Sequence, residues 1–458
     1  MASISLFEAF IASIWFLFLL CFFIKKPNKS FLITNWPLLG MLPGLLMVLD
    51  QVYDFLVELL ENSNLTFEFK GPWCARMDML VTVDPANIHY ILSSNFSNYT
   101  KGPEFKEIFD VFKYVIFNVD SELWKNLRKA AQARVNHQEF QRFSVCATRG
   151  KLKNGLVPLF NHFAKERTIV NLQDVFQRFI FDTTMVLITG SDPTSLSIEK
   201  PENEFAKALT DAGEAIMYRH IKPRFLWKVQ KWMGFGLEKK MVNADAIFNR
   251  VCAKYISAKR KEISHKSIED EGEDLLTSYI NLDTTKYDIL NPSDDKFLKD
   301  IILAYIIAGR DTIASALTWF FWLLSENPKV LAKIRKEIDK ILPKSKYGEE
   351  KHFFNTTELN KLVYLHGALY ESMRLYPPVP FESKPPIKSD VLTSGIKFWI
   401  LQNYNIEVVE VLQNYNIVEV LQNYNIEVVK GQKIEPLPGL ILRMKHGLRV
   451  IVTKRDLA

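Results

Sequence analysis

The sequence predicts a mainly α-helical fold with small β-sheets, preceded by one transmembrane helix. Three observations predict it. Residues 297–327 form one long, mostly apolar helix. Helical periodicity dominates from Gly150 to Arg260. Strand-like runs are short and few, and the N-terminus opens on an apolar stretch.

The long helix sets the scale. Ser293 is placed to cap it, and Asp294 and Asp295 put negative charge in its first turn. Pro328 ends it. At 1.5 Å per residue, Asp294 to Ser325 spans roughly 48 Å, enough to cross a large domain. Apolar residues surround most of it, so it is expected to be buried. Gly309, Arg310, Asp311 and Thr312 interrupt that character at mid-helix. A mid-helix glycine costs about 1 kcal/mol relative to alanine, and a buried acid needs a partner or a purpose. The tetrad reads either as a bent core helix with a satisfied polar spot, or as a helix opened beside a reacting centre where Asp and Thr handle protons.

The chain has 458 residues, 48% of them apolar and 13% aromatic, enough for one very large domain or two ordinary ones. The net charge of +6 is spread out. With no helix-turn-helix or zinc pattern, it gives no case for nucleic acid. Cysteines stand at 21, 74, 146 and 252, without CxxC spacing, as suits reduced thiols facing a cytosol.

In chain order, residues 1–26 read as a membrane anchor. Ala9 to Ile24 is apolar apart from Ser13, and Lys25, Lys26 and Lys29 follow with no basic residue before it. The positive-inside rule then places the remainder in the cytosol. Residues 27–46 form a proline-rich hinge (Pro27, Pro37, Pro43). Phe67 to Lys70 and Met79 to Val83 read as short strands. Ser121 to Ala133 reads as a helix with Trp124 and Arg128 on one face. An indole N–H and a guanidinium there can grip an anion, or the pair can belong to a surface helix with Trp turned inward. Asn171 to Gly190 is a second apolar-periodic helix. Tyr218 to Phe235 mixes basic residues with Phe225, Trp227, Trp232 and Phe235. That mixture suits a membrane surface or an apolar entrance, and equally an ordinary amphipathic helix pair. Lys259 to Asp274 reads as a solvated connection. Val330 to Ile341 and Leu359 to Tyr376 are amphipathic helices, the second stopped by Pro377 and Pro378. Glu371 and Arg374, three apart on that helix, read as a buried structural ion pair, or else as an exposed helix salt bridge worth a few tenths of a kcal/mol.

Trp124-x-x-x-Arg128, Ala308-Gly309-Arg310-Asp311-Thr312 and Glu371-x-x-Arg374 occur in that order behind an anchor and a proline hinge. Together they resemble a plant microsomal cytochrome P-450, of the branch that hydroxylates fatty acids and alkanes. Lys70-Gly71-Pro72-Trp73, Lys101-Gly102-Pro103-Glu104-Phe105, Thr318-Trp319-Phe320-Phe321-Trp322 and Glu371 to Pro378 are similar to the mid-chain alkane hydroxylases of cuticular wax. The resemblance implies that fold over residues 47–396, lacking its Cys loop and so incomplete near the C-terminus, with a C-terminal hairpin at 431–458. It implies haem b and electrons from NADPH through NADPH–cytochrome P-450 reductase. It implies an aliphatic substrate, contact with membrane lipid, and a single-pass protein of the endoplasmic reticulum with its catalytic domain in the cytosol. In that family Thr312 would hold the oxygen-side hydrogen bonds and Asp311 would relay protons. Ala308 and Gly309 would leave room for oxygen and substrate, Trp124 and Arg128 would bind a haem propionate, and Glu371 and Arg374 would stabilise the fold.

One part of the pattern is missing. The family's Phe-x-x-Gly-x-Arg-x-Cys-x-Gly loop has no counterpart, because no cysteine follows Cys252. The Pro-Glu-Arg segment is absent too. Instead, residues 397–430 repeat Leu-Gln-Asn-Tyr-Asn-Ile at 401, 412 and 421, an aberrant segment expected to form strands. A deletion of the ligand region with duplication of a short segment accounts for this, and a faulty gene assembly would look the same. No residue is therefore assigned to the iron. The implied function is hydroxylation of long-chain alkanes or fatty acids. The alternative is a catalytically inactive, membrane-anchored relative.

Overall fold

The computed structural model describes residues 34–73, 75, 77–199, 202–265, 273–341, 356–393 and 417–455. The expected anchor, residues 27–33 of the hinge, the first repeat copy and all but Ile417 of the second lie outside these residues. In chain order the principal elements are α1 (Val52–Asn62), β1 (Thr66–Phe69), β2 (Met79–Thr82), α2 (Gly102–Ile108), α3 (Ser121–Val135), α4 (Gln138–Lys151), α5 (Val157–Glu166), β3 (Ile169–Asn171) and α6 (Leu172–Thr189). They continue with α7 (Glu204–Ile221), α8 (Arg224–Met233), α9 (Gly236–His265), α10 (Asp295–Glu326), α11 (Pro328–Ile341), α12 (Val363–Leu375), β4 (Tyr424–Val428), β5 (Pro436–Leu437), β6 (Arg443–Met444) and β7 (Arg449–Lys454). Shorter helical turns join them.

Helix α10 runs through the centre as 32 unbroken residues. Its cap is Asp294, not Ser293: the Asp294 carboxylate accepts the Lys296 N–H at 2.9 Å. Pro328 opens the next helix at its first position, where a missing N–H costs nothing. Two hydrophobic clusters meet on α10. Its first half, Phe297 to Ile306, packs with α3, α7 and α9. Its second half, Ile313 to Leu324, packs with α5, α6, α11, α12 and the C-terminal strands. The polar tetrad sits at the join between them. Among the described residues, α10 is the one helix long and apolar enough to cross a bilayer, and its burial marks it as a core helix.

Helix α6 lies against α10. Asn171 caps it by accepting the Gln173 N–H at 3.1 Å, and Gly190 closes it at φ 72°, a left-handed geometry that favours glycine. Strands β1 and β2 pair antiparallel from Thr66↔Thr82 to Phe69↔Met79. A three-stranded sheet has the order β3-β7-β4, and β5 and β6 form a small hairpin. The Leu442 carbonyl of that hairpin accepts hydrogen bonds from Ser315 Oγ and Trp319 Nε1 of α10.

Three expectations need correction. The third repeat copy is not all strand: Leu421 to Asn423 is helical and only Tyr424 onward is extended, paired with β7. The connection from Lys259 is not wholly solvated. Helix α9 continues to His265, and Lys259, 6% exposed, pairs with the buried Asp274 at 2.8 Å. The helix expected from Leu359 is divided, with a short turn at Thr356–Leu359 before α12 begins at Val363.

Candidate functional site

The middle of α10 is not opened. Gly309 keeps helical geometry, and a Cβ there would meet Thr184 Cγ2 of α6 at 3.1 Å and Oγ1 at 3.2 Å. The glycine therefore permits close contact between α6 and α10, which is what the sequence left undecided. Thr312 is 4% exposed, and its hydroxyl donates back to the Ala308 carbonyl of its own helix. Ala308 and Gly309 are half-buried.

Asp311 is mostly buried, and its Oδ1 has no hydrogen-bond partner among the described residues. Its Oδ2 stands 3.6 Å from Arg310 Nη1, an ion pair too long for a hydrogen bond. Arg310 is 6% exposed, with Nε and Nη1 also unpartnered. Burial pulls its pKa below the usual arginine value, and Asp311 partly restores it. The Arg310 guanidinium lies 5.7 Å from the Phe181 ring centroid and 3.5 Å from Thr210 Oγ1. The sequence marked Arg310 only as part of a tetrad. Its burial depends on α6 and α7, which come from more than 100 residues away in places.

Trp124 is half-buried on α3, with its ring 5.3 Å from that of Phe96. Arg128 is exposed one turn on and forms no ion pair among the described residues. Both stand on the same helix, one turn apart. The Glu371–Arg374 pair forms, but the burial expected of it is overturned and the exposed reading holds. The pair is formed, with bonds of 2.7 and 2.8 Å, but the side chains are 56% and 67% exposed. Helix α12 turns Leu365, Leu369 and Ser372 into the core, and that face leaves positions 371 and 374 outside. Arg374 holds the Glu371 carboxyl below its usual pKa.

Sequence reasoning missed a second charged centre. Lys101, Glu382 and Lys384 are each less than a tenth exposed, with Lys101 paired to Glu382 and Lys384 3.7 Å from it. Burial and the neighbouring Lys101 depress the Lys384 pKa. No spacing in the sequence links positions 101 and 384.

This helical architecture with a long central helix and small peripheral sheets is that of the cytochrome P-450 family. The Cytochrome P-450 family model matches residues 32–409, and the chain belongs to that family. The match ends inside the repeat segment. The chain is 46% identical to Alkane hydroxylase MAH1 of Arabidopsis thaliana, over 99% of this chain and 100% of that one. That alignment has 517 positions, more than the 458 residues here, so it opens gaps in this chain. Noroxomaritidine synthase of Narcissus aff. pseudonarcissus MK-2014 is 38% identical over 81% of this chain and 71% of its own. Cytochrome P-450 86B1 of Arabidopsis thaliana is 35% identical over 79% and 65%. A crystal structure of a cytochrome P-450, CYP102L1, superposes with a TM-score of 0.71 at 15% identity, over 88% of this chain and 97% of that one, which shows the fold alone.

Membership implies haem, a reductase supplying electrons and a small-molecule substrate. The residues described do not fit haem iron. The iron ligand in this family is a thiolate. Cys146 is exposed on α4, and Cys252 is fully buried in α9 with its thiol pushed up to about 12 by burial, so it stays protonated near neutrality. His446 is a surface residue 3.8 Å from Glu435. Among the described residues no group of three or more His, Cys, Asp or Glu side chains could hold a metal ion.

Proposed function

We propose that this protein serves the hydroxylation of long-chain alkanes or fatty acids, with dioxygen and NADPH-derived electrons from NADPH–cytochrome P-450 reductase, in wax-type metabolism at the endoplasmic reticulum membrane. The observation that carries this reading is the match to an alkane hydroxylase across both whole chains. The name of the Narcissus relative points to a different substrate, so family membership alone would not suffice. In this reading Asp311, with one free carboxylate oxygen in a largely buried site, takes and passes a proton. The Thr312 hydroxyl would leave the Ala308 carbonyl to receive it. Trp124 and Arg128 supply donors for an acidic group such as a propionate. Contact with lipid is supported by α8, where Trp232 is 86% and Met233 60% exposed beside Lys228 and Lys231.

A second reading, an inert membrane-anchored relative, is favoured by the want of any cysteine after Cys252 and by the unsuited thiols. The first reading needs a mature message that encodes a cysteine loop where the repeats now stand. The second needs this sequence unchanged. Sequencing the transcript across codons 390 to 430, with the carbon monoxide spectrum of the reduced, purified product, separates them. A cysteine loop with a thiolate-type band carries the first. This sequence without such a band carries the second. A thiolate-type band from this sequence would overturn the ligand assignment.

A further inference from the structure

Two stretches of this chain are identical over nine residues: Val409 to Ile417 and Val418 to Ile426 both read Val-Glu-Val-Leu-Gln-Asn-Tyr-Asn-Ile. The second stretch fills a defined slot between α5, α10, α11 and β7. Val418, Val420, Leu421 and Tyr424 are each 3% exposed or less. The Tyr424 hydroxyl reaches the Val157 carbonyl oxygen at 3.2 Å and Asn161 Oδ1 at 3.0 Å. Its ring stands edge to face with Phe160, 5.2 Å between centroids. Arg335 Nη2 donates to the Tyr424 carbonyl at 3.0 Å and to Asn425 Oδ1 at 2.9 Å. The Arg455 N–H donates to the Asn423 carbonyl at 2.9 Å. The first stretch carries the same residue type at every position that makes these contacts.

We infer that Val409 to Ile417 can take the place of Val418 to Ile426, so that the slot holds either of two registers nine residues apart. The flanking positions set the cost. Val408 comes to the place of the fully buried Ile417, a loss of one methylene. Val418 and Glu419 come to the places of Glu427 and Val428, which inverts the alternation at the end of β4. Glu427 is exposed and Val428 half-buried, so the Glu419 carboxylate stays at the edge of the sheet with access to water. The backbone ladder between β4 and β7 runs through main-chain groups and is kept. Residues 421–429 then leave the slot as a loop, and the cost of closing it grows only with the logarithm of its length.

The first repeat copy provides the contrast. Leu401 to Val409 matches Leu421 to Val429 residue for residue. In that register, however, Lys397 falls at the position of Ile417, which is 0% exposed, and Phe398 falls at the equally buried Val418. A lysine there bears the cost of an unpaired buried charge, and the phenylalanine overpacks its site. The nine-residue exchange is thus the one that keeps both the helical and the extended part of the slot. It acts as a spare anchor: when one copy is damaged, the slot passes to the other. The inference concerns a chain of this sequence, whatever its activity.

Urea unfolding of the purified full-length chain and three variants tests it. Tyr415→Ala should leave the midpoint unchanged. Tyr424→Ala should lower it only slightly, because the exchange brings Tyr415 against Phe160 and Asn161. The double variant, with no tyrosine to offer in either register, should lower it about twice as far or more. Hydrogen exchange read by mass spectrometry locates the strand. In Tyr424→Ala, protection should appear at 415–420 and fade at 424–429, and the substitution itself tells the two copies apart. A Tyr424→Ala chain as unstable as the double variant, or one that fails to fold, would overturn the exchange. So would protection that stays at 424–429.

Discussion

Single residues show how burial and charge compete here. Asp300 on α10 is 2% exposed and accepts the Tyr114 N–H at 2.9 Å, and its other oxygen has no hydrogen-bond donor among the described residues. Lys299 stands 3.9 Å away, too far to balance the loss of water. Burial raises the Asp300 pKa to about 6. A raised carboxyl pKa means that the folded chain binds a proton more readily than the unfolded one, whose value is about 3.9. Its contribution to stability is therefore greatest below about pH 4 and falls as pH rises through 6. Asp300→Asn removes that titration. The stability of the variant relative to the unsubstituted chain should then improve by about 2–3 kcal/mol between pH 4 and pH 7.5. Urea unfolding at both pH values measures it, and an offset independent of pH would refute the assignment. Nothing in the sequence separates Asp300 from the exposed Asp294 and Asp295 nearby. Only packing against the loop at Tyr114 distinguishes it. Arg310 was hidden for the same reason.

At the scale of elements, local chemistry was the legible part. The Asn171 cap, the Gly190 stop and the 1–2 residue agreement at the ends of α10 follow from capping and periodicity. Contacts between distant elements were not legible. The sequence could not tell whether Gly309 opens α10 or seats it against α6, and Thr184 decides that. Nor could it tell which face of α12 is inward, so the Glu371–Arg374 pair stood open between core and surface. The α6–α10 contact predicts a coupling. Gly309→Ala gains about 1 kcal/mol of helix propensity but adds a methyl 3.1 Å from a buried, β-branched neighbour. Overpacking of that kind costs about 1–3 kcal/mol. The single variant should be destabilised by up to about 2 kcal/mol. In the Thr184→Ala background the same change should be neutral or stabilising. A double-mutant cycle with no coupling would return Gly309 to a role in the groove.

For the molecule as a whole, the two cores and the C-terminal strands close around α10 through ordinary side-chain packing. The cluster around the second half of α10 holds the buried Ile417, Val418 and Tyr424 at the end of the repeats, together with Trp319 and Phe320. The segment after the repeats is tied in by the bonds from Ser315 and Trp319 to Leu442 and by pairing of β7 with both β3 and β4. Helix α10 is thus held in place by contacts that involve no iron ligand. A ligand that binds only the folded state adds RT ln(1 + [L]/Kd), about 2.7 kcal/mol at one hundred times Kd. Neither described cysteine should supply that term for haem, since Cys252 is sealed and protonated and Cys146 faces solvent. The thermal midpoint of the purified protein should accordingly be unchanged by excess ferric haem. A chain of this family with its cysteine loop intact should rise by a few degrees under the same conditions. A comparable rise here would mean that Trp124 and Arg128, or another side chain, suffice to hold the group. The Trp124→Phe variant would then show whether the indole N–H contributes to that binding.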